Sequence, residues 1–288
     1  MLEQISLLPV AWLATISGIF GLLIGSFLNV VVFRYPKLLK YQWTVQSRIW
    51  LELDLPSEES PPGIVSPPSH CGNCGATVQP WQNIPVISFL FLKGKCASCK
   101  ATISWRYPLV ELLTGFLSAV VVYQFGWSLQ SAFGLILTWV LVALTFIDFD
   151  HKLLPDDIVI PTLWLGLSIN LVPVFTDTHS AVIGAIAGYL VFWVVFQVFL
   201  RLTGKEGMGY GDFKLLALLG AWLGWQYLPQ IVLISTLVGS VFGIAIMIKQ
   251  RTGGSLAIPF GPYIALAGWL ALCWGQEINN AYLRFSGL

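Results

Sequence analysis

Residues 207–214 read Gly-Met-Gly-Tyr-Gly-Asp-Phe-Lys, a glycine-rich turn that carries one carboxylate at the start of a long apolar segment. A charge held at the edge of hydrocarbon is costly, so Asp212 has to be paired, solvated in a cavity or used in function. A second group of acids, within residues 148–157, ends another apolar segment earlier in the chain. The organisation of the chain therefore depends on whether these two groups of acids meet.

The composition indicates a membrane protein. Of the 288 residues, 56% are hydrophobic, only 10% are charged and 13 are Trp, which is far from the balance of a soluble globular chain. We therefore expect a protein that crosses the bilayer several times and is surrounded by membrane lipid. The net charge of +1 is uninformative as a total, because the position of each Lys and Arg matters more than their sum in a membrane protein. Nothing in the composition suggests a nucleic-acid partner. The first apolar run lacks a cationic leader and a small-residue cleavage site, so we expect it to be retained as a first span.

Apolar windows of about twenty residues are long enough to cross the bilayer as helices. The sequence contains eight of them, at approximately 8–33, 108–125, 129–147, 157–175, 180–200, 213–227, 229–248 and 257–275. The polar segment 34–107 separates the first two. The sequence thus predicts an all-α polytopic membrane protein with about eight transmembrane helices. It has a first helix within 1–33, a small extramembrane domain at 34–107 and a seven-helix membrane domain at 108–288.

The distribution of cations predicts the orientation. Segment 34–107 holds more than half of the 15 Lys and Arg residues, so the positive-inside rule makes it cytoplasmic. With eight spans, three further loops that carry cations fall on the same side, at 148–156, 201–212 and 249–256, while the opposite loops carry none. Asp148 and Asp212 are therefore expected at one membrane surface, where they can meet.

Four cysteines form two Cys-x-x-Cys pairs in the polar segment, Cys71 with Cys74 and Cys96 with Cys99. Two such pairs supply four thiolates in the tetrahedral arrangement of a structural zinc site. A redox pair or two disulfides is the competing interpretation, although a cytoplasmic location disfavours stable disulfides. Four protein ligands leave no position for a water on the metal. We therefore expect the zinc to stabilise the fold of the 34–107 domain and to take no part in catalysis.

The two acids would form a catalytic pair if they approach within a few ångströms. Asp148 and Asp212 could not then both ionise cheaply and would share a proton. One would act as general base on a water and the other as general acid, which is the chemistry of aspartyl peptide hydrolysis. Gly209 and Gly211 would let an extended substrate approach the backbone, and Lys214 is a candidate charge partner. Alternatively, acids at span ends simply face the membrane interface, and spacing alone leaves both interpretations open.

Two further polar residues lie in apolar surroundings. Asn29 follows Gly25 and Ser26 near the end of the first span, and Glu111 follows Arg106 at the start of the second. Small residues at that depth indicate helix packing, while Asn29 and Glu111 need partners. Both a structural and a functional role are open for each.

Taken together, these motifs resemble those of the bacterial prepilin peptidases, also called type IV leader peptidases. The motifs are residues 25–31 with Arg34, the two Cys-x-x-Cys pairs, Arg106-Tyr107-Pro108 with Glu111, Ile147-Asp148 with Leu154-Pro155-Asp156, and Gly209-Tyr210-Gly211-Asp212. They follow the family's order from the first span to the sixth and cover most of the chain. The family is one of the membrane aspartyl proteases, which share a Gly-x-Gly-Asp motif with presenilins.

The resemblance implies an enzyme of the bacterial inner membrane with its active site facing the cytoplasm. Such enzymes cleave the basic leader from type IV prepilins and type II secretion pseudopilins, after a glycine and usually before a phenylalanine. They then methylate the new N-terminal amine with S-adenosylmethionine as donor. The family's catalytic aspartates fall on Asp148 and Asp212, and its zinc ligands fall on Cys71, Cys74, Cys96 and Cys99.

Methyl transfer rests on the resemblance alone, because no glycine-rich strand-turn-helix signature of a soluble methyltransferase is present. We expect it around the 34–107 domain, with Gly94-Lys95, Arg106 and Glu111 as candidates. One alternative is a related membrane aspartyl protease without methyl transfer. Another is a transporter or assembly scaffold whose acids form a proton path. A proton path would place acids at several depths, whereas the acids here are expected to cluster at one surface.

Overall fold

The structure, a computed structural model, describes residues 9–57, 59–250 and 258–286 of the chain. These residues form nine α-helices and no β-strand, which confirms the predicted all-α class. In chain order the helices are α1 Val10–Trp50, α2 Ile87–Phe91, α3 Arg106–Phe125, α4 Leu129–His151, α5 Asp156–Ile169, α6 Thr178–Thr203, α7 Tyr210–Leu223, α8 Leu228–Gln250 and α9 Gly261–Ser286. Short 3₁₀ turns occur at Pro80–Asn83 and Trp225–Tyr227.

Every predicted span coincides with a helix, but within the described residues only five segments are long and apolar enough to cross a bilayer. They are α1, α3, α4, α6 and the segment Trp225–Lys249, which contains most of α8. Helices α5 and α7 have 14 residues each, or about 21 Å, which is less than the roughly 30 Å of the hydrocarbon core. Helix α9 is long enough, but its second half is polar. The structure thus shows a multi-pass helical membrane protein, and the count of eight spans is not confirmed.

The chain divides into two compact units, Met1–Ser131 and Ala132–Leu288, called unit 1 and unit 2 below. Unit 1 contains α1 to α3, and unit 2 contains most of α4 together with α5 to α9. Helix α1 does not end with the predicted span at residue 33 but continues to Trp50. The start of the predicted first span, at residue 8, and most of the predicted 249–256 loop lie outside the described residues.

In unit 1, helices α1 and α3 pack through small residues. A Cβ atom at Gly25 would lie 2.7 Å from the Cα of Glu111, and one at Gly21 would lie 2.9 Å from the Cα of Gly115. No larger residue fits at such distances, so the two backbones approach closely, as small residues allow in membrane helices. The packing role predicted for the small residues of the first span is confirmed for Gly25.

In unit 2, helix α7 occupies the interior. It packs against α5, α6 and α9, and 11 of its 14 residues are buried. A Cβ atom at Gly184 of α6 would overlap the carbonyl oxygen of Gly220, and a Cβ atom at Gly220 would overlap that of Gly184. The two helices therefore touch backbone to backbone. The neighbours of this short helix cover it and position Asp212 at its N-terminal end.

Hydrogen bonds hold the other end of α7. Trp222 Nε1 donates to the carbonyl oxygen of Thr162 in α5 at 2.8 Å. Asn170 Nδ2 donates to the carbonyl oxygens of Ala221 and Trp222 at 3.0 and 2.9 Å. These carbonyls lie in the last turn of the helix, where partners within the helix are lacking. Both ends of α7 are thus tied to its neighbours.

Candidate functional site

Asp148 lies in the last turn of α4, and only 5% of the residue is exposed. Its Oδ2 accepts a hydrogen bond from the backbone N–H of Gly261, with an N···O distance of 3.0 Å. Gly261 is the first residue of α9, and the N–H groups at the start of a helix carry partial positive charge. The start of α9 therefore orients the Asp148 carboxylate.

Gly261 has no room for a side chain. A Cβ atom there would lie 2.7 Å from Asp148 Oδ2 and 3.2 Å from Leu154 Cδ2. Sequence reasoning missed this residue. The signal that could have revealed it is the turn Pro259-Phe260-Gly261-Pro262 at the start of the last apolar segment, because proline is common at the first positions of a helix.

Asp212 is the third residue of α7 and is 8% exposed. Its backbone N–H donates to the carbonyl oxygen of Gly209, the N-cap residue, at 3.2 Å. Leu154 lies against both Gly211, the residue before Asp212, and Gly261, the hydrogen-bond donor to Asp148. The two acids that the sequence singled out therefore come from different helices and lie in the same part of unit 2.

Leu154, in the loop between α4 and α5, joins the two sides of this pair. A Cβ atom at Gly211 would lie 2.8 Å from the Cβ of Leu154, whose Cδ2 is the atom that faces Gly261. The buried leucine thus packs between the start of α7 and the start of α9. Gly211 is needed for this contact, whereas sequence reasoning had attributed its small size to substrate approach.

Lys214 pairs with a different acid. Its Nζ lies 2.8 Å from Oδ1 and 2.7 Å from Oδ2 of Asp156, the first residue of α5. Asp150 and Asp156 are exposed, in contrast to the buried aspartate pair. Burial therefore distinguishes Asp148 and Asp212 from the acids next to them in the sequence.

The four cysteines of unit 1 converge on one point. Their Sγ atoms all lie within 4.8 Å of one another, and those of Cys71 and Cys99 are 3.8 Å apart. All four are free thiols. Such separations suit a metal ion bonded to four sulfurs at about 2.3 Å each. The cluster is therefore consistent with the predicted zinc site, Cys71, Cys74, Cys96 and Cys99.

The two cysteine pairs share one local backbone structure. In each pair, the backbone N–H of the first cysteine donates to the carbonyl oxygen of the residue five positions later. The backbone carbonyl oxygen of the same cysteine accepts a hydrogen bond from the N–H of the residue four positions later. The bonds are Cys71 to Ala76 at 2.9 Å, Gly75 to Cys71 at 2.9 Å, Cys96 to Ala101 at 2.8 Å and Lys100 to Cys96 at 3.1 Å. The shared pattern Cys-x-x-Cys-x-Ala-Thr in the sequence could have revealed this repeat.

Hydrogen bonds to sulfur favour the thiolate form at two of these positions. The backbone N–H of Asn73 is the main cause that lowers the pKa of Cys71. The backbone N–H of Ala101, followed by the side chain of Asn73, lowers the pKa of Cys99 to about 6. Because the thiolate is the form that binds metal, these donors prepare both cysteines as ligands.

Asn29 and Glu111 both find partners within unit 1, where each is 8% exposed. Asn29 Nδ2 donates to the carbonyl oxygen of Tyr107 at 3.0 Å, which ties α1 to the start of α3. Glu111 Oε2 accepts a hydrogen bond from the backbone N–H of Val86 at 2.8 Å, which ties α3 to the residue before α2. The other candidates for methyl transfer lie nearby in sequence: Gly94 and Lys95 follow α2, and Arg106 begins α3.

Comparison with known families divides the chain at the same place as its two units. Residues 19–125 match the bacterial peptidase A24 N-terminal domain, and residues 135–244 match the type IV leader peptidase family. The first match lies within unit 1 and the second within unit 2.

Relatives from several bacteria match almost the whole chain. A prepilin leader peptidase/N-methyltransferase of Pseudomonas aeruginosa is 49% identical over 288 residues, which cover 100% of this chain and 99% of the relative. Proteins of the same name from Aeromonas salmonicida and Neisseria gonorrhoeae are 52% and 48% identical, and each match covers 92% of both chains. No solved structure matches the chain.

Proposed function

Because the chain belongs to the type IV leader peptidase family, we propose that it removes the basic leader from type IV prepilins and type II secretion pseudopilins and then N-methylates the new N-terminus. The observation that carries this proposal is that two buried carboxylates, Asp148 and Asp212, from two helices, lie in the same part of unit 2, with Leu154 packed beside both. The names of relatives that share about half of their residues with the chain support both activities.

We assign peptide cleavage to this aspartate pair. Two buried carboxylates within a few ångströms of each other would share one proton, because ionising both is costly. The ionised aspartate takes a proton from a water molecule, whose oxygen attacks the carbonyl carbon of the scissile bond. The protonated aspartate donates its proton to the reacting peptide group, and the C–N bond breaks as the nitrogen is protonated.

The surroundings of Asp212 suit an extended peptide. A Cβ atom at Gly209 would have only Asp212 Oδ2 nearby, at 3.7 Å, so the backbone beside the acid is open to a substrate. The half-exposed ring of Tyr210 follows, and it packs against Phe196 and Phe213 with centroid distances of 5.2 and 5.3 Å. This aromatic surface suits the phenylalanine expected after the cleaved bond.

We also propose an eight-span topology in which the aspartate pair faces the cytoplasm. The helices α5, α7 and α9 coincide with predicted spans although they fall outside the five that qualify by length and hydropathy. A short helix such as α7 is compatible with a membrane interior because protein, not lipid, covers it. The cation-rich loops on one side support the orientation. A basic leader would then meet the acids at the cytoplasmic surface of the inner membrane.

We propose that the four cysteines of unit 1 hold a structural zinc ion. The convergence of four thiol groups fits this metal, and a site with four protein ligands leaves no position for a reacting water. Zinc would therefore stabilise residues 71–99, whose two turns carry the ligands, and take no part in peptide hydrolysis. This assignment keeps the metal and the aspartate pair in separate units.

We propose that unit 1 also carries the methyl-transfer activity. S-adenosylmethionine would supply the methyl group from a positively charged sulfur. The donor and the N-terminal ammonium of the pilin are both cationic, and the buried carboxylate of Glu111 is a group that suits a cation. Unit 1 matches the bacterial peptidase A24 N-terminal domain, a model separate from the one that unit 2 matches, and the relatives that span both units are named as methyltransferases as well as peptidases, which supports the assignment.

Mass spectrometry of a purified prepilin incubated with the protein tests both activities. We expect loss of the leader with or without S-adenosylmethionine, and a gain of one methyl group only when the donor is present. Leader loss without methyl gain would identify a membrane aspartyl protease that does not methylate. An uncleaved prepilin would refute the peptidase assignment and favour the transporter or scaffold alternative.

A further inference from the structure

Glu111 is a buried carboxylate that peptide cleavage does not use. It lies in the second turn of α3, a helix long and apolar enough to cross the membrane, and is 8% exposed. The other carboxylates described in unit 1, Glu52, Asp54 and Glu59, are exposed. Burying a carboxylate in apolar surroundings is costly, and ionisable groups in membrane helices mark functional sites by default. Glu111 is therefore a candidate for a functional role as well as a structural one.

Three parts of unit 1 meet at this carboxylate. The backbone N–H of Val86 donates to Glu111 Oε2 at 2.8 Å. The side chain of Ser26, in α1, also hydrogen-bonds to the carboxylate. Gly25 leaves so little space that a Cβ atom there would lie 2.7 Å from the Cα of Glu111. The backbone of α1 thus covers one side of the residue and keeps lipid away from it.

The backbone at Val86 is strained. Its φ of 60° is positive, which is a true outlier for a β-branched residue. Strain of this kind persists only where the surroundings enforce it, and it is concentrated at functional sites. Here it accompanies the N–H group that Val86 donates to Glu111.

We propose that Glu111 binds the α-ammonium group that leader cleavage exposes and accepts its proton before methyl transfer. The inference rests on the proposed function, because it requires a new N-terminus that is methylated. An α-ammonium group has a pKa of about 8, so at neutral pH it is mostly protonated and has no lone pair to react. A carboxylate held beside it both attracts the cation and takes the proton.

The reaction then balances. Proton transfer turns the Glu111 carboxylate into a carboxylic acid and the ammonium into a neutral amine. The amine nitrogen uses its lone pair to form the N–CH₃ bond, while the S–CH₃ bond breaks and its electron pair stays on sulfur. The products are a positively charged methylammonium and a neutral thioether, and Glu111 returns its proton to water. No oxidant or further co-reactant is needed.

The depth of Glu111 suits this substrate. Glu111 is five positions after Arg106, the first residue of α3, which places it about 7–8 Å along the helix axis from that end. An N-terminus released at the membrane surface would meet the carboxylate at this depth.

The variant Glu111→Gln tests the proposal, because glutamine still accepts the Val86 hydrogen bond but cannot take the proton. With leader-free pilin and S-adenosylmethionine at pH 7, we expect the methyl-transfer rate to fall by about 10²–10⁴-fold. Prepilin cleavage and zinc content should match those of the wild type, which shows that both units are folded. The rate of the variant should recover as the pH rises through about 8, where the amine loses its proton unaided.

A second measurement needs no methyl donor. Binding of a leader-free pilin peptide is compared with binding of the same peptide acetylated at its N-terminus. We expect the wild type to prefer the free amine by about tenfold, as a hydrogen bond to a charged group provides, and Glu111→Gln to lose this preference. Equal binding of both peptides by the wild type, or wild-type methylation by the variant across the pH range, would overturn the proposal. A wild type that cleaves but never methylates would instead refute the methyltransferase assignment on which it rests.

Discussion

The buried acids of unit 2 are placed where helix ends can stabilise them. Asp148 accepts a hydrogen bond from the first residue of α9, and Asp212 lies in the first turn of α7. The N-terminal ends of helices carry partial positive charge and favour nearby anions. The N-terminal ends of α7 and α9 therefore both lie next to the aspartate pair. Their partial positive charge offsets part of the free-energy cost of burying two carboxyl groups.

Replacing either aspartate with asparagine should stop leader cleavage. An amide cannot exchange the proton that the pair shares, so we expect Asp148→Asn and Asp212→Asn each to lower the cleavage rate by about 10²–10⁴-fold. Initial rates on a purified prepilin provide the measurement. Asp150→Asn is the matched control, because Asp150 is exposed and only two residues from Asp148, and it should cleave normally. Cleavage by either variant of the pair would disprove its catalytic role.

At the scale of helices, the position of Asp212 depends on how closely α6 and α7 approach. Gly184 and Gly220 face each other across this contact, and Gly188 meets the backbone of Leu216 and Ala217 one turn away. Membrane helices have no hydrophobic effect to drive them together within lipid, so close contact between backbones is a main source of their association. The glycines of α6 are thus part of what positions the acid.

A methyl group at this contact should destabilise unit 2. In Gly220→Ala, the new Cβ would overlap the carbonyl oxygen of Gly184, and overpacking of this kind costs about 1–3 kcal/mol. Thermal unfolding in detergent should show a lower midpoint. The control is Gly243→Ala in α8, where the Cβ would lie 3.2 Å from the flexible Cδ1 of Ile258, and it should unfold near the wild-type midpoint. Equal midpoints for both variants would argue against the close contact.

The two cysteine turns of unit 1 should depend on their metal. We expect the double variant Cys71→Ser, Cys74→Ser to lose bound zinc, because two remaining thiolates cannot complete a tetrahedral site. Elemental analysis of the purified protein gives the zinc content per chain, and protease sensitivity within residues 71–99 should rise. Cys273→Ala, a buried cysteine in unit 2, serves as control and should retain the metal. Undiminished zinc in the double variant would show that other residues bind it.

For the molecule as a whole, the division into two units agrees with the two family matches, residues 19–125 and 135–244. The buried aspartate pair belongs to unit 2, whereas the cysteine cluster and Glu111 belong to unit 1. If each unit carries one activity, cleavage and methyl transfer are consecutive reactions at separate sites. Loss of one active residue should then leave the other reaction intact.

This separation can be measured with two substrates. Asp212→Asn should not methylate a full-length prepilin, because the amine has not been released from its peptide bond. The same variant should methylate a leader-free pilin at the wild-type rate, since its unit 1 is unchanged. The incorporation of labelled methyl groups from S-adenosylmethionine reports both reactions. A variant unable to methylate leader-free pilin would indicate that both reactions share the aspartate pair.

The sequence by itself determined the class of the protein, the approximate positions of its long apolar helices and the four cysteines of the cluster. Composition is sufficient for the first two, because a helix that crosses hydrocarbon requires a long apolar window. Local spacing is sufficient for the cysteines, because each pair forms within one short turn. The motif resemblance singled out Asp148 and Asp212 among neighbouring acids. The number of spans could not be counted from the sequence. An apolar helix that is covered by protein, such as α7, has the same composition as a helix that is covered by lipid.

Only the tertiary structure decided how the site is built. The partner of Lys214 is Asp156, 58 residues away, and the donor to Asp148 is Gly261, 113 residues away. The requirement for Gly211 comes from Leu154, which reaches it across the start of two helices. Such contacts depend on which helix faces meet, and hydropathy along the chain carries no information about that. The glycine-rich turn at 207–214 marks the place of an acid, and the packing of α4, α7 and α9 brings a second acid to it.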